Sequence, residues 1–247
     1  MLPREREREL LESLKQSEIA NVVTHGLNPN VPMKDSGIPW IGMIPEHWEV
    51  KRIASVFCEN KNINSELTLT EAYQFNYGTL ILKNREYKAS EDASVYAKYT
   101  IISPGDIVIN GLNLNYDFVS QRVAIAHAKG IITSAYIVMT PRDNVLSPYF
   151  CFLFKSMDAQ KLFHGMGTGI RLTLSFDELK KQYLPIPPLS EQQAIVDYIE
   201  TRLTKVDSYI ADLQAEIDYL KEFKQRLVGD VVTGQICVAE PQKGDLR

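Results

Sequence analysis

Three groups of residues in this chain could carry chemistry: a glycine cluster, a Glu-x-Lys pair, and a set of amide and guanidinium side chains in loops. Gly165-Met-Gly167-Thr-Gly169 resembles a phosphate loop at first sight. Its third glycine comes too early for a dinucleotide fingerprint, and the segment follows a predicted helix, not a strand. No Walker-type lysine loop is present. Glu178-x-Lys180 fits the Glu-x-Lys part of a nuclease motif, but no matching upstream Pro-Asp accompanies it. The Asn-Pro-Pro-aromatic tetrapeptide of amino-methyltransferases is also missing, since Pro187-Pro188 is preceded by Ile186. His25, His47, His127 and His164 are scattered, without metal-ligand spacing. Cys58, Cys151 and Cys237 form no Cys-x-x-Cys, which argues against a thiolate zinc site and a disulfide scaffold and suits a reducing cytoplasm. The expectation is a chain that performs no catalysis and holds no cofactor.

Binding is a better fit to what remains. Asn110-Gly-Leu-Asn113-Leu-Asn115-Tyr116 follows a predicted strand, with Gln121-Arg122 close behind. Asn and Gln can pair with adenine edges and Arg with guanine. Thr168 and Arg171 lie in the glycine-rich loop, where they could meet a phosphate or a base. Lys83-Asn84-Arg85, with Lys88, forms a local basic cluster. All of these residues would serve equally well as solvated loop side chains. Residues 35–181 hold 15 Lys and Arg against 15 Asp and Glu, and the whole chain carries −4. A nucleic-acid surface must therefore come from arrangement, not from bulk charge.

The elements that would position these groups are legible in outline. The chain has 247 residues, 45% hydrophobic and 23% charged, ordinary values that exclude a disordered or collagen-like chain. No stretch approaches the roughly 18 apolar residues of a membrane span, and the alternating charges of the first nine residues are unlike a signal peptide. Short strands are predicted at Thr79–Leu82, Asp106–Ile109, Arg122–Ala126 and Ala135–Met139, and a helix beginning at Ser147-Pro148. The pattern predicts an α+β protein: a charged helical segment over 1–30, one mixed α/β domain over 31–189, a long helix over 190–234, and a frayed tail over 235–247.

The long helix is the plainest feature. Ser190 fits an N-cap, with Gln193 at capping-box spacing and Glu191 in the first turn; Gly234 fits the stop. Leu203, Val206, Ile210, Leu213, Ile217 and Leu220 are spaced 3, 4, 3, 4, 3, a coiled-coil seam that calls for a partner helix. Residues 11–24 also echo residues 220–233: Lys15-Gln16 matches Lys224-Gln225, and Val22-Val23-Thr24 matches Val231-Val232-Thr233. A repeated helix end that brackets one globular unit suggests a module cut from a tandem repeat.

Several segments together resemble one family. Asp35-Ser-Gly-Ile-Pro-Trp-Ile-Gly-Met-Ile-Pro-Glu-His-Trp-Glu-Val-Lys-Arg-Ile resembles the start of a target recognition domain in specificity subunits of type I restriction–modification systems. Ser103-Pro-Gly-Asp-Ile-Val-Ile resembles the turn and strand in the middle of that domain. Gly167-Thr-Gly-Ile-Arg171, followed by Pro185-Ile-Pro-Pro-Leu-Ser-Glu-Gln-Gln-Ala-Ile-Val, resembles its end and the helix after it. The resemblance implies a non-catalytic subunit that reads DNA. In that family two recognition domains each read half of a split site, and two long helices between them act as a ruler. Methyltransferase subunits that bind S-adenosylmethionine dock on the assembly, and motor–nuclease subunits use ATP. This chain carries one domain and one long helix where a full subunit has two of each. It therefore resembles a half-subunit, expected to pair with a second copy through the seam and to read a split palindrome. The alternatives are a coiled-coil assembly or inhibitor protein that binds the methyltransferase without reading DNA, and a nuclease using Glu178 and Lys180.

Overall fold

The computed structural model describes residues 3–84, 88–170 and 172–235. Among them no helix is long and apolar enough to cross a membrane. The chain divides into two compact units, residues 16–200 and residues 1–15 with 201–247.

Helix α1 (Pro3–His25) opens with proline in its first turn, where the missing N–H costs nothing. It closes on Gly26, which adopts φ +77° as a left-handed cap and donates to the Val22 carbonyl. Ile19, Val22 and Val23 lie on one buried face of its last turns. Strands β1 (Met33–Asp35) and β2 (Met43–Pro45) then form an antiparallel pair. Next come β3 (Glu49–Arg52), the single-turn helix α2 (Ile53–Val56) and β4 (Phe57–Glu59). The hairpin β5 (Tyr73–Asn76) and β6 (Thr79–Leu82) turns at Tyr77-Gly78. Helix α3 (Ala89–Tyr96), β7 (Thr100–Ile102), β8 (Ile107–Ile109), β9 (Val123–Ile125), β10 (Gly130–Ile132) and β11 (Ile137–Pro141) complete the sheet region. Helix α4 (Ser147–Ala159), a 3-10 turn at Leu162–Gly165, helix α5 (Phe176–Leu179), β12 (Tyr183–Ile186) and the 44-residue α6 (Leu189–Val232) follow.

The centre of the 16–200 unit is an antiparallel sheet in the order β4-β11-β8-β9. Strand β8 reads Ile-Val-Ile without alternation because all three residues are fully buried. Phe57 of β4 meets Phe150 and Phe154 of α4 at ring distances of 5.4 and 5.8 Å. Val108 and Val138 pack with Ile102, Ala126 and Ile132, and with Tyr73, Phe75 and Leu80 of the hairpin. Asp106 explains the Pro-Gly-Asp turn. It is buried; one carboxylate oxygen accepts from the Ser103 N–H at 2.8 Å and from Asn60 Nδ2, and the other accepts from Thr140 Oγ1 at 2.6 Å. One side chain thus ties the turn to β11 and to the loop after β4.

The start and end of the domain close on each other. β3 and β12 pair antiparallel, Tyr183 opposite Arg52 and Ile186 opposite Glu49. Trp48 is completely buried, and its Nε1 donates to Glu191 Oε2 at 2.9 Å, while His47 Nε2 lies 2.5 Å from Glu191 Oε1. The buried Gln192 accepts from the Leu146 N–H and donates to the Pro187 carbonyl, both at 2.9 Å. The Tyr149 hydroxyl donates to the Val23 carbonyl at 2.7 Å. Ser190 does not act as the expected cap. The helix begins one residue earlier, the Pro188 carbonyl accepts from the N–H groups of Glu191 and Gln192, and Gln193 turns to Asp197. The far end behaves as expected at Gly234, which has φ +74°, with Gln235 N–H donating to Asp230 carbonyl.

The other unit is an antiparallel helix pair made within the chain, from the first half of α1 and α6 beyond Thr201. Arg4 binds Glu216, Arg8 donates to Gln214, Glu7 accepts from the Tyr209 hydroxyl, and Lys15 pairs with Asp207. Leu213 and Ile217 are buried, Leu203, Val206 and Ile210 are half-buried, and Leu220 is exposed. The expectation that a second chain must cover the seam is thereby corrected for its middle part, where α1 lies close enough to do so. The polar ladder ends at Glu5 and Lys221. Beyond it Phe223, Leu227 and Val231 are exposed.

Candidate functional site

Two long loops of the 16–200 unit meet and form one face. The first, residues 110–122, joins β8 to β9; the described part of the second, residues 166–170 and 172–175, follows the 3-10 turn. Leu174 N–H donates to the Gly111 carbonyl at 2.9 Å, and Leu114 N–H to the Leu172 carbonyl at 3.1 Å. Gly111 must be glycine for this approach, because a Cβ there would lie 2.5 Å from the Leu174 carbonyl oxygen. Asn115 Nδ2 reaches across to the Ile170 carbonyl at 3.0 Å. Thr168 and Thr173 exchange backbone bonds of 3.1 and 2.9 Å, which closes the second loop into a small hairpin. The turn of the β5–β6 hairpin joins from the side, since Gly78 lies against Gln121 closely enough that a Cβ would come within 2.6 Å of its Oε1.

Arg122 is the post on which the first loop stands. It is 1% exposed. Its Nη1 donates to the carbonyls of Asn110 (3.1 Å) and Leu112 (2.8 Å), and its Nη2 to that of Asp117 (2.8 Å). Its backbone N–H donates to Asp158 Oδ2 at 2.7 Å. Burial pushes the Asp158 carboxyl up from its ordinary range, against the pull of that N–H and of the Lys161 and Arg122 charges. Asp117 shifts the other way, down to about 2, chiefly because the Ser120 N–H binds it, with help from the Val119 N–H and the Arg122 charge. His164 stacks on Phe118 at 4.7 Å. Four polar atoms buried here have no protein partner: Asn115 Oδ1, Arg122 Nε, Asp158 Oδ1 and His164 Nδ1.

The residues singled out from sequence separate into groups. Asn110, Asn113, Asn115, Tyr116, Gln121, Arg122 and Thr168 come together on this face. Asn113, with φ +51°, Tyr116, Gln121 and Thr168 are exposed. Asn110 caps its own loop by accepting from the Leu112 N–H. Arg122 is the correction: its guanidinium is consumed by three backbone carbonyls, so it shapes the loop and offers no fork to a base. Lys83 lies elsewhere, with its ammonium over the rings of Tyr96 and Tyr99. Arg85 and Arg171 fall outside the described residues. Lys180 pairs with Asp177, three residues away, instead of joining Glu178 in a site. Among the described residues no group of His, Cys, Asp and Glu could hold a metal ion. Reasoning from polar residues alone missed Phe118, Val119 and Ile170, which are exposed on the same two loops. Apolar residues inside a loop bounded by Asn, Gly and Gln were the available signal.

Residues 45–218 match the model of the type I restriction modification DNA specificity domain, well over half of the chain. The chain belongs to this family. The specificity subunit of the type I restriction enzyme EcoKI from Escherichia coli strain K12 is 25% identical over 210 residues, covering 79% of this chain and 44% of that one. The StySPI specificity subunit of Salmonella potsdam is 25% identical over 215 residues, covering 80% and 45%. A solved structure of a type I restriction–modification system superposes with a TM-score of 0.64 at 16% identity, over 92% of this chain and 53% of that one. The HsdS subunit of Thermoanaerobacter tengcongensis superposes with a TM-score of 0.54 at 17% identity, over 94% and 53%. The specificity-domain fold is therefore shared, and the chain spans less than half the length of the EcoKI and StySPI specificity subunits. The segment Ile44-Pro-Glu-His-Trp48 and the segment Pro187-Pro-Leu-Ser-Glu-Gln192, which carried the resemblance in sequence, are the two that meet at Glu191.

Proposed function

We propose that this chain is a non-catalytic DNA-reading subunit that supplies half of a complete specificity assembly. It binds double-stranded DNA with the face made by residues 110–122 and 166–175 and reads one half of a split site. Two copies join through their helices in an isologous pair, which makes the complete site a palindrome. A methyltransferase subunit carrying S-adenosylmethionine docks on the pair and modifies adenine, and a motor–nuclease subunit driven by ATP supplies restriction. The chain needs no cofactor of its own and works in the prokaryotic cytoplasm.

The observation that carries this reading is the meeting of two hydrogen-bonded loops with Asn113, Tyr116, Gln121 and Thr168 exposed, on a domain of the DNA specificity family. The pairing rests on the exposed apolar side chains of α6, Leu220, Phe223, Leu227 and Val231, spaced 3, 4 and 4. The test is co-expression with the neighbouring methyltransferase and a map of modified adenines. A split palindrome is expected. A split asymmetric site would replace the homodimer by a pair of different chains. No new methylation with an active, bound methyltransferase would favour the assembly or inhibitor role. Leu227→Glu isolates the pairing: it is expected to shift the protein from dimer to monomer in sedimentation, with an unfolding midpoint close to the parent's because Leu227 is exposed in its own chain.

A further inference from the structure

The reading face is tipped with bare aliphatic side chains. Val119 is 87% exposed and Ile170 is 93% exposed, and Tyr116 and Phe118 are exposed on the first loop. Such residues are normal singly; here both lie on loops that are hydrogen-bonded to each other. Both tips are tied down. The N–H groups of Val119 and Ser120 donate to Asp117 Oδ1 at 3.0 and 2.9 Å, in an Asx turn that sets Val119 at the apex. Phe118, the residue before it, is stacked on His164. Ile170 is held through its carbonyl by Asn115. Both side chains are β-branched and stiff, so little rotamer freedom remains to be lost on contact.

We propose that Val119 and Ile170 read the 5-methyl groups of thymine in the major groove, and so set part of the sequence that this chain selects. The inference rests on the DNA-reading role proposed above. The chemistry behind it is narrow. Of the base edges of duplex DNA, the thymine methyl is the apolar one, and it lies in the major groove. Contacts to phosphates hold DNA without telling one sequence from another, so selectivity comes from contacts at the base edges and from DNA shape. An aliphatic tip buries a methyl group against itself and excludes cytosine, which offers an amino group and no methyl at that edge. Burying one methyl-sized group amounts to about 0.8 kcal/mol, which is about fourfold in affinity.

Removing the methyl group alone tests this. The full chain, bound to its methyltransferase, selects duplexes from two random libraries, one made with thymine and one with uracil in its place. Uracil keeps every hydrogen-bonding atom and lacks only the methyl group. The expected result is a half-site position at which thymine is preferred about fourfold, with the preference gone in the uracil library. Val119→Ser with Ile170→Ser is expected to lose that preference in the thymine library and to show no further change with uracil. These side chains are nearly bare, so the variant keeps the parent's unfolding midpoint. A consensus unaffected by uracil but altered by the substitutions would overturn methyl reading in favour of another contact, such as a wedge between base steps. A consensus altered by neither would remove these loop tips from base contact while leaving the DNA-reading role intact. No consensus at all from the wild-type complex would bring down the proposed function itself.

Discussion

The 16–200 unit contains two buried polar clusters that are satisfied to different degrees. Around Glu191 and Gln192, where the domain meets α6, Trp48 Nε1, Gln192 Oε1, Gln192 Nε2 and the Tyr149 hydroxyl all have protein partners at 2.7–2.9 Å. Around Arg122 and Asp158, beneath the loops, four buried polar atoms have none. An unpartnered buried donor or acceptor forfeits roughly 1–3 kcal/mol of hydration. The first cluster is a joint whose residues are mutually determined. The second lies beneath the two loops and has fewer protein partners for its buried polar atoms, so substitutions there are expected to cost less.

The joint should therefore be the costlier place to cut. Trp48→Ala removes a fully buried indole and the donor to Glu191 Oε2, leaving His47 at Oε1. It is expected to cost about 4 kcal/mol, read as the shift in a urea unfolding midpoint, with the selected DNA sequence unchanged in whatever protein remains folded. A loss below about 1 kcal/mol would mean that the joint is slack and would erase the contrast. Gln192→Ala, which strands the Leu146 N–H and the Pro187 carbonyl, is expected to cost about 3 kcal/mol by the same measurement.

Arg122→Ala tests the loop cluster at its strongest point. Three carbonyls lose their donor, and the Asp158 carboxyl loses a neighbouring charge. About 2 kcal/mol of stability is expected to go, less than at Trp48, together with a broadened sequence preference measured by selection from a random duplex library. Arg122→Lys keeps the charge but not the fork, so it is expected to recover part of the stability and little of the selectivity. A variant that loses stability while keeping a sharp preference would show that Arg122 does not position the reading loops.

Arg122 also shows what a sequence can and cannot reveal. Its neighbours Asn110, Asn113 and Gln121 identified a polar loop after a strand, and the loop is there. A guanidinium in a loop reads alike whether it faces solvent or its own backbone, because the three carbonyls that hold it are present in every sequence. The strands differ in the same way. Ile107-Val-Ile109 and Thr79–Leu82 were legible as apolar runs bounded by turn residues. Strand β12, Tyr-Leu-Pro-Ile, was not, because Pro185 argues against a strand until β3 is seen to be its neighbour at the edge. The heptad of α6 was plain, but the part of it that α1 lies against depended on an antiparallel alignment that spacing does not specify. Val119 and Ile170 were passed over because apolar residues are read as core by default, and only exposure sets them apart.

The smallest effects are those of pH, and they separate the two carboxylates of the loop cluster. Asp117 is held down to about 2 from an ordinary 3.8. Its contribution to stability is present above pH 4 and is lost as pH falls from 4 towards 2, where the folded protein must take up the proton it resists. Because the side chain is partly exposed, the contribution is no more than about 1 kcal/mol after solvent screening. Asp158 has the opposite sign. Burial raises its pKa, so the folded protein binds that proton more tightly than the unfolded chain does, and the benefit fades as pH rises through the raised value. Asp158→Asn removes the titration while keeping an oxygen that can accept from the Arg122 N–H. Its unfolding free energy, compared with the parent's from pH 4 to pH 8, is expected to improve relative to the parent as pH rises; for Asp117→Asn the difference from the parent should grow in the parent's favour as pH rises from 2 and then level off. Parallel curves for the parent and Asp158→Asn would place that carboxylate in a solvated setting. The loop cluster would then be no less complete than the joint at Glu191.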